Sequence, residues 1–412
     1  MSGVTVGVNA QIDELSQINS DPAAGGITRE VFTPEYMAAN DYVSNLMQDA
    51  GLAVHLDAFG NLFGRLEGSD PTAAAIMTGS HIDTTLNAGR FDGVLGVLGA
   101  IEAVRQLSSE GPTLRAIEVV VFAGEEPRFG SGCIGSRVLT GQLSRQDLDT
   151  MKDSAGISIA EAMRGVGLSP DQIAEARLDG SRVKAFVELH IEQGSVLERL
   201  GVPIGVVTHI AAPHDMVVTI RGAAAHAGAT PMNARRDALA GAVEAAVELE
   251  RLGRESPSGT TVATVGAISA SPGAINVIPG EAELKVDIRD RDLSARDAVA
   301  DAFVAELESI TRRRGLELEI STIARDTPVA CSSLIVDAAR AACNELAVEY
   351  VEITSGAYHD AMLMSAEVPV GMIFVPSAGG ISHSPLEYSA SEDIDRGVRV
   401  LAGTLRVLAD TA

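Results

Sequence analysis

The residues best suited to metal chemistry lie close together near position 85. His81 and Asp83 are two positions apart, and a second carboxylate, Asp92, follows in a loop that is apolar on both sides. Imidazole nitrogens and carboxylate oxygens are common ligands of zinc and of related divalent metals. A short His-x-Asp sequence is also common as a hydrogen-bonded structural pair. These residues alone therefore leave both interpretations open.

Two apolar segments flank this loop and would position its side chains. Residues 73–77 are typical of a buried strand, and residues 94–107 predict a helix with Val97, Ile101 and Val104 on one face. Open α/β sheets place their ligands at the carboxyl ends of the strands. His81 and Asp92 would then face such an edge.

Other predicted strands lead to further donors of the same kind. Residues 117–123 run into Glu125 and Glu126, residues 183–189 run into His190, and residues 370–375 are followed by a glycine-rich loop that contains His383. The donors that follow apolar strands are His81, Asp92, Glu125, Glu126, His190 and His383. Because one sheet would direct all six to one rim, we expect them to surround metal.

Six donors are more than one cation needs. Two divalent ions that share Asp92, with one carboxylate left over as a base, are the economical arrangement. Such ions polarise a carbonyl group and lower the pKa of a bound water. The remaining carboxylate could take the proton of that water and return it to a leaving nitrogen.

Composition limits the class of protein. The chain has 412 residues, 46% of them hydrophobic, and 31 basic against 56 acidic residues give a formal charge of −25. This length predicts two or three domains, and the charge argues against binding to nucleic acid or to anionic membranes. Three scattered cysteines make no disulfide framework, and the N-terminus has no signal-like segment. We therefore expect a cytoplasmic protein.

The segment from 213 to 325 has a pattern of its own. Strands are predicted at 216–220, 261–269, 282–289 and 316–320, and helices at 237–252 and 295–314. This β-α-β-β-α-β order is typical of a ferredoxin-like module. We expect it to be inserted into a metal-binding α/β domain formed by residues 1–212 and 326–412.

Three polar residues of the inserted segment have unusual settings. His226 and Asn276 lie in loops of small and apolar residues rather than in solvated charge runs. Arg289 ends the polar face of a strand whose other face is apolar. A solvated arginine is the ordinary expectation there, although a guanidinium group also binds carboxylates in a fork.

Together, the motifs H-I-E-Q-G (190–194), H-A-G-A-T-P-M (226–232) and I-S-H-S-P (381–385) resemble a known family. The sequence is similar to the di-metal amidohydrolases related to aminoacylase, in the branch of N-carbamoyl-L-amino acid amidohydrolases, allantoate amidohydrolases and β-ureidopropionases. The resemblance covers residues 79–97, 119–137, 187–197, 222–237, 273–290 and 355–388. It implies a zinc-exopeptidase-like mixed sheet flanked by helices, with a ferredoxin-like lid domain.

The resemblance also implies roles for single residues. One metal would be held by His81, Asp92 and His190, and the other by Asp92, Glu126 and His383. Glu125 would be the general base, with Asp83 supporting His81. The ligand set suits Zn, Mn, Co or Ni without selecting one of them.

Substrate contacts are implied in the same way. The substrate, a small molecule with a carboxylate, would be bound by Gln193, Asn276, Arg289 and the loop residues Gly356, Ala357 and Tyr358. His226 would reach the scissile carbonyl from the lid of a partner subunit, which requires a homodimer joined through the lids.

Some positions depart from the family pattern. Tyr358 stands where many relatives have a small residue, the run after Glu126 is one residue short and begins with Pro127, and His209 and His214 flank the start of the lid. Two substrate classes therefore remain possible, a ureido acid and another N-acyl amino acid of the aminoacylase type. A metal-free binding protein of the same fold is disfavoured because every donor is present.

Overall fold

A computed structural model of the protein describes residues 7–411, which form two units. The first comprises the chain through Thr208, Cys331–Ser355 and the chain from His359 onward, and the second comprises His209–Ala330 and Gly356–Tyr358. In the described part of the chain, no helix is both long and apolar enough to cross a membrane. The expectation about an N-terminal signal involves residues 1–6, which lie outside the described residues.

Helices and strands interleave along most of the chain. The helices are α1 (Val8–Leu15), α2 (Pro34–Asp49), α3 (Val94–Glu110), α4 (Ile134–Leu139), α5 (Arg145–Thr150), α6 (Ile159–Gly165), α7 (Val196–Leu200), α8 (Ala238–Arg254), α9 (Leu293–Arg314), α10 (Ser333–Glu345), α11 (Asp360–Met364) and α12 (Ser391–Asp410). The strands are β1 (Ala53–Leu56), β2 (Leu62–Leu66), β3 (Ala75–His81), β4 (Ile117–Phe122), β5 (Val183–Ile191), β6 (Ile204–Ile210), β7 (Ala212–Arg221), β8 (Ala225–His226), β9 (Val262–Ser271), β10 (Val277–Ile278), β11 (Glu281–Asp290), β12 (Glu317–Arg325), β13 (Val329–Ala330), β14 (Tyr350–Ser355) and β15 (Val370–Val375). Short 3₁₀ turns lie at 170–176, 180–182, 232–234 and 378–380.

The first unit is built on a mixed sheet with the strand order β1-β2-β4-β3-β5-β15-β6, and β14 pairs with β6. Strands β4, β3, β5 and β15 are parallel, whereas β1 with β2, β2 with β4, and β15 with β6 pair antiparallel. The four parallel strands end at one edge of the sheet, where α/β proteins place their ligands. The predicted α/β class with a mixed sheet is confirmed.

Helix α3 is buried more completely than the sequence pattern suggests. The prediction gave it one apolar face, but Leu95 and Leu98 are as fully buried as Val97 and Ile101. The helix contacts β3 and β5 and also α1 and α12. A helix covered on several sides is apolar all round, so a one-sided pattern understates its burial.

The second unit has the predicted ferredoxin-like order. Its sheet runs β12-β7-β11-β9, entirely antiparallel, and helices α8 and α9 contact it. Leu284, Val286 and Ile288 of β11 are buried, as their alternation predicts. They form one apolar core with residues of α8 and α9, such as Leu249 and Phe303.

Arg296 ties together the two ends of the inserted segment. Its side chain is buried, and Nη1 donates hydrogen bonds to the carbonyl oxygens of Pro213 (3.0 Å) and Asp326. His214 lies nearby, with Nδ1 3.9 Å from a carboxylate oxygen of Asp297. We conclude that His214 belongs to this polar cluster within the second unit.

Several strands were not predicted from the sequence. Strands β2, β6 and β14 lie where no strand was predicted, and the short ladder of β8 with β10 joins two segments interpreted as loops. Two predicted strands are also longer than expected, because β3 ends at His81 and β5 ends at Ile191. Both histidines therefore lie on rigid strands rather than in the loops that follow.

Candidate metal centre and active site

Asp92 lies at the centre of the donor cluster. Its Oδ1 is 3.2 Å from His190 Nε2 and 3.9 Å from His81 Nε2, and its Oδ2 is 3.2 Å from His383 Nε2. His383 Nε2 is in turn 3.6 Å from Glu126 Oε1. Two groups, His81–Asp92–His190 and Asp92–Glu126–His383, thus each bring three ligand atoms within 4.8 Å of one another. They share Asp92.

Main-chain carbonyl groups fix the orientation of two of the imidazole rings. His81 Nδ1 is 3.0 Å from the carbonyl oxygen of Asp83, and His190 Nδ1 is 2.9 Å from that of Ile191. Because a carbonyl oxygen can only accept, these contacts place a proton on each Nδ1. The Nε2 atoms therefore face Asp92 and are the ring nitrogens that could bind a metal.

Gly93 allows the loop to approach His81. Its φ angle is +65°, and a Cβ atom at this position would lie 2.4 Å from atoms of the His81 ring. Both the backbone conformation and the available space therefore exclude a larger residue.

Burial and the neighbouring charges shift the pKa values of the cluster. Burial lowers the pKa of His81 to about 4. The hydrogen bond to Asp92 raises the pKa of His383 to about 9, and the same carboxylate raises that of His190 to about 9 against the opposite effect of burial. Burial and the charge of Asp92 raise the pKa of Glu126 to about 8. These pKa values favour a neutral His81 and protonated Glu126, His190 and His383 at pH 7.

Glu125 lies beside His81 of the first group. Its Oε2 is 3.8 Å from His81 Nε2, and its side chain is 13% exposed. Burial, followed by the charge of Glu126, raises its pKa well above the usual range. A carboxylate in such a place is suited to accept and return a proton.

Asp83 contacts both His81 and the backbone that follows β4. The His81 ring is held by the main-chain carbonyl of Asp83, whereas the carboxylate lies 3.7 Å from Nδ1. That carboxylate instead accepts hydrogen bonds from the backbone N–H groups of Glu125 (3.2 Å) and Glu126 (3.0 Å).

Gln193 contacts the cluster directly. Its Nε2 donates a 2.8 Å hydrogen bond to Asp92 Oδ2, and its backbone has a φ of +56°. The Oε1 atom is buried and, within the described residues, has no hydrogen-bond partner. Left-handed conformations of non-glycine residues also occur at His383, Cys133 and Asn87. Such strained residues concentrate at functional sites.

The other expected site residues belong to the second unit. Arg289 forms a fork with Asp287 through Nε and Nη2 (2.7–2.9 Å), and its Nη1 donates to the carbonyl oxygen of Gly356 (3.0 Å). Ala357 and Tyr358 continue this loop, and the Tyr358 hydroxyl donates to Asp326 (3.0 Å). Arg289 is therefore not simply a solvated strand end.

His226 and Asn276 lie on neighbouring segments of that unit. His226 pairs with Val277 in the β8–β10 ladder, and Ala227 N donates to the carbonyl oxygen of Asn276 (2.9 Å). His226 is exposed, and its Nδ1 accepts hydrogen bonds from Gly228 N (3.1 Å) and from the next residue's N–H. The ring proton therefore lies on Nε2, which is left as a donor.

Some polar residues around the cluster were not predicted to belong to the site. Glu188 is fully buried, accepts hydrogen bonds from Ser80 Oγ (2.7 Å) and Ala361 N (3.1 Å), and forms a third group of possible ligands with His190 and His359. A carboxylate inside the apolar run of β5 is a signal that could have been noticed.

Most of the chain is similar to known hydrolases and amidohydrolases. The model of the peptidase family M20/M25/M40 matches residues 77–407. An N-carbamoyl-L-amino acid amidohydrolase of Geobacillus stearothermophilus is 44% identical, with 96% of each chain covered. A ureidoglycolate hydrolase of Arabidopsis thaliana is 42% identical over 98% of this chain and 86% of the relative.

A solved structure supports the same relationship. The structure of an amidase of the hydantoinase/carbamoylase family from Burkholderia multivorans superposes with a TM-score of 0.89 at 35% identity, covering 98% of this chain and 97% of the other. The chain belongs to the metal-dependent peptidase family M20/M25/M40. The resemblance inferred from the sequence motifs is confirmed.

Proposed function

We propose that this protein is a metal-dependent amidohydrolase that cleaves the C–N bond of an N-carbamoyl amino acid or a related ureido acid. The products would be an amino acid, CO₂ and ammonia. The observation that carries the proposal is the position of Asp92 between two groups of metal ligands, with Glu125 beside them. The activities named for the relatives at 44% and 42% identity select the ureido group over other amides.

The donor set fits two divalent cations. His81 and His190 would hold one, Glu126 and His383 would hold the other, and Asp92 would contact both. Zn, Mn, Co and Ni all accept this mixture of imidazole and carboxylate ligands. Bound cations would polarise the carbamoyl carbonyl and lower the pKa of the attacking water.

Glu125 would transfer the protons. It is close enough to the donor cluster to take a proton from the attacking water, and the same carboxyl group would then protonate the leaving nitrogen. Its raised pKa in the metal-free protein follows from burial among other carboxylates. Nearby cations would favour the ionised form that a base requires.

Arg289 is the proposed anchor for the carboxylate of the substrate. Its guanidinium group already binds Asp287, so a substrate carboxylate would bind the Nη1 side, which now donates to Gly356. Asn276 would add a polar contact. In the first unit, Gln193 Oε1 would accept a ureido N–H, because the amide nitrogen is engaged by Asp92.

His226 would donate a hydrogen bond to the carbonyl oxygen of the substrate. Its Nδ1 is occupied by two backbone N–H groups, so Nε2–H is the atom that can donate. In comparable enzymes, a fixed hydrogen-bond donor at a developing oxyanion lowers the activation free energy by about 2.7–4 kcal/mol.

A homodimer through the second unit is supported by one edge of its sheet. Strand β9 is an edge strand of ten residues without a single charge, with Val262 and Ile268 exposed. The opposite edge strand, β12, carries Glu317, Glu319 and Arg325. Charged residues protect an edge from pairing, so β9 is the edge suited to join a second copy.

Substitutions at the two edges test this dimer. Ile268→Lys in β9 should shift the protein towards monomers in analytical ultracentrifugation, because it places a charge in the pairing surface. Ile323→Lys is the matched control, since Ile323 is an exposed isoleucine on β12. Dimers that resist the first substitution would contradict the assignment of β9.

The function is tested with a panel of substrates. Metal-loaded protein is incubated with N-carbamoyl amino acids, ureidoglycolate, allantoate and N-acyl amino acids, and both ammonia and free amino group are measured. Equal release of ammonia and amino product from N-carbamoyl amino acids supports the proposal. Release of amino acid from N-acyl substrates alone would instead establish an aminoacylase.

A further inference from the structure

Glu387 connects two loops that carry proposed metal ligands. It is 5% exposed and lies four residues after His383. Its Oε1 accepts hydrogen bonds from the backbone N–H groups of Phe91 (2.8 Å) and Asp92 (3.1 Å). The carboxylate thus joins the Asp92 loop to the loop of His383, which lies almost 300 residues later in the chain.

The other oxygen of Glu387 continues the connection to the Asp92 side chain. Ser382 Oγ lies 2.9 Å from Glu387 Oε2 and 2.9 Å from Asp92 Oδ2. Gln193 Nε2 lies 2.8 Å from the same Asp92 oxygen and 3.3 Å from Ser382 Oγ. Both the backbone and the side chain of Asp92 are therefore fixed by one set of contacts.

The two loops fit closely at this point. A Cβ atom on Gly89 would lie 2.2 Å from Glu387 Oε1. His383 has a φ of +52°, a left-handed conformation that costs on the order of 1–3 kcal/mol and persists only when its surroundings hold it. Glu387 N donates to the carbonyl oxygen of Ser384 (3.0 Å), which closes the turn after His383.

Glu387 is a buried carboxylate that is stabilised by hydrogen bonds. No lysine or arginine in the described part of the chain forms an ion pair with Glu387, whose partners are two backbone N–H groups and one hydroxyl. Burying a carboxylate costs free energy, which these hydrogen bonds offset. Two of them are made to the loop of Asp92, so loss of the carboxylate would leave the N–H groups of Phe91 and Asp92 without an acceptor.

We propose that Glu387 is a positioning residue that, with Ser382, fixes Asp92 between the two metal positions and couples the His383 loop to it. The inference rests on the proposed function for the assignment of Asp92 as a shared ligand. Residues that hold metal ligands in this way typically contribute 10- to 100-fold to metal affinity.

The test measures metal binding, which needs no substrate. Wild-type protein and the variants Glu387→Ala, Glu387→Gln and Ser382→Ala are stripped of metal and titrated with Mn²⁺ or Zn²⁺ by calorimetry. Glu387→Ala should weaken the binding of at least one ion by roughly 10- to 100-fold. Glu387→Gln should recover most of this loss, because an amide oxygen can accept both backbone hydrogen bonds and an amide nitrogen can donate to Ser382.

Asp290→Ala is the matched control. Asp290 is 1% exposed and accepts hydrogen bonds from Asp292 N (3.0 Å) and from the hydroxyl groups of Ser258 (2.6 Å) and Thr260 (2.8 Å), so its loss also loosens a loop, but it belongs to the second unit, which carries none of the proposed ligands. Its melting temperature should fall while its metal affinity stays unchanged. This separates general destabilisation from an effect on Asp92.

Two outcomes would overturn the inference. One is unchanged metal affinity in folded Glu387→Ala; the other is an equal loss of affinity in Asp290→Ala. If Glu387→Ala does not fold, Ser382→Ala decides, and unchanged affinity in that variant has the same meaning. Failure of the proposed function would look different, since wild-type protein would then bind metal and leave every ureido acid intact.

Discussion

The carboxylate of Asp83 accepts a hydrogen bond from the backbone N–H of Glu126, with a distance of 3.0 Å. It accepts a second from Glu125 N, and its own main-chain carbonyl receives His81 Nδ1. Burial raises the pKa of this carboxyl group to about 7, although the backbone donors act to lower it. Asp83 therefore holds the ring of His81, a proposed ligand, and the backbone of Glu125, the proposed base, and of Glu126.

Asp83→Asn should damage catalysis and metal binding together. The amide can accept one of the two backbone N–H groups, but its nitrogen would face the other as a second donor. We expect a loss of about 10- to 100-fold in kcat and in metal affinity, which is typical for residues that orient metal ligands. Titration calorimetry and steady-state kinetics measure the two quantities. An effect on kcat alone would show that Asp83 acts on Glu125 and not on the ligands.

Glu125→Gln should retain the bound metal but lose most of the hydrolytic activity. The amide has nearly the same shape but cannot take a proton, and positioned general bases contribute typically 10²–10⁴-fold. Metal analysis after dialysis should give the wild-type stoichiometry, and kcat should fall by a factor in that range. If the variant instead lost one ion while Glu126→Gln retained both, the roles of the two neighbouring glutamates would be exchanged.

Metal binding should release protons near neutral pH. In the metal-free protein the pKa of Glu126 is about 8 and those of His190 and His383 are about 9, so these groups hold protons at pH 7. Ligation requires ionised carboxylates and neutral imidazoles, so affinity should rise with pH until these groups have titrated. Calorimetry in two buffers of different ionisation enthalpy counts the protons. Chelation should abolish activity, and Mn, Co or Zn should restore it; binding without proton release would contradict the assigned ligands.

The sequence was sufficient to predict that the candidate donors lie at one edge of a sheet, because each lies at or beyond the carboxyl end of an apolar strand. Parallel strands end at one edge, so His81, Glu126 and His190 could be expected near one another without knowledge of the strand order. The inserted segment could also be predicted, since the alternation of buried Leu284, Val286 and Ile288 with polar residues in β11 is a strong local signal.

The hydrogen bonds around the donors could not be predicted in the same way. Glu387 contacts Phe91 and Asp92 across almost 300 residues, and Asp83 acts through its main chain as well as its carboxylate. Such contacts depend on how loops meet after folding and leave no periodic pattern. Strands β6 and β14 were missed although both are rich in β-branched residues, which favour strands, so this part of the fold was predictable from the local sequence.

Arg289→Lys should weaken substrate binding and leave the metals in place. An ammonium group can replace neither the fork to Asp287 nor the Nη1 contact at Gly356. The loss of one charge-assisted hydrogen bond, about 1.5–3 kcal/mol, corresponds to a rise in KM of roughly 10- to 100-fold. Arg221→Lys is a control on the same sheet, where the arginine is exposed and pairs with Glu281 and Glu319. Amide analogues that lack the carboxylate should bind both forms of the enzyme equally weakly; if Arg289→Lys bound the acid as well as wild type, the anchor would lie elsewhere.

His226 offers a test of whether two subunits build one active site. The ring belongs to the second unit, whereas all proposed metal ligands belong to the first, and the uncharged edge of β9 provides a surface for a partner. We expect His226→Ala and Glu125→Gln each to be nearly inactive alone. In a mixed dimer, one site would combine the intact Glu125 of one chain with the intact His226 of the other, while the second site would carry both lesions. Mixing the variants under conditions of subunit exchange should therefore restore about half the wild-type activity per mixed dimer.

Differently tagged subunits, purified as the mixed species, establish that exchange has occurred, and Ile268→Lys in both chains should prevent the recovery. A purified mixed dimer without activity would mean that His226 serves the site of its own chain or has no part in the reaction.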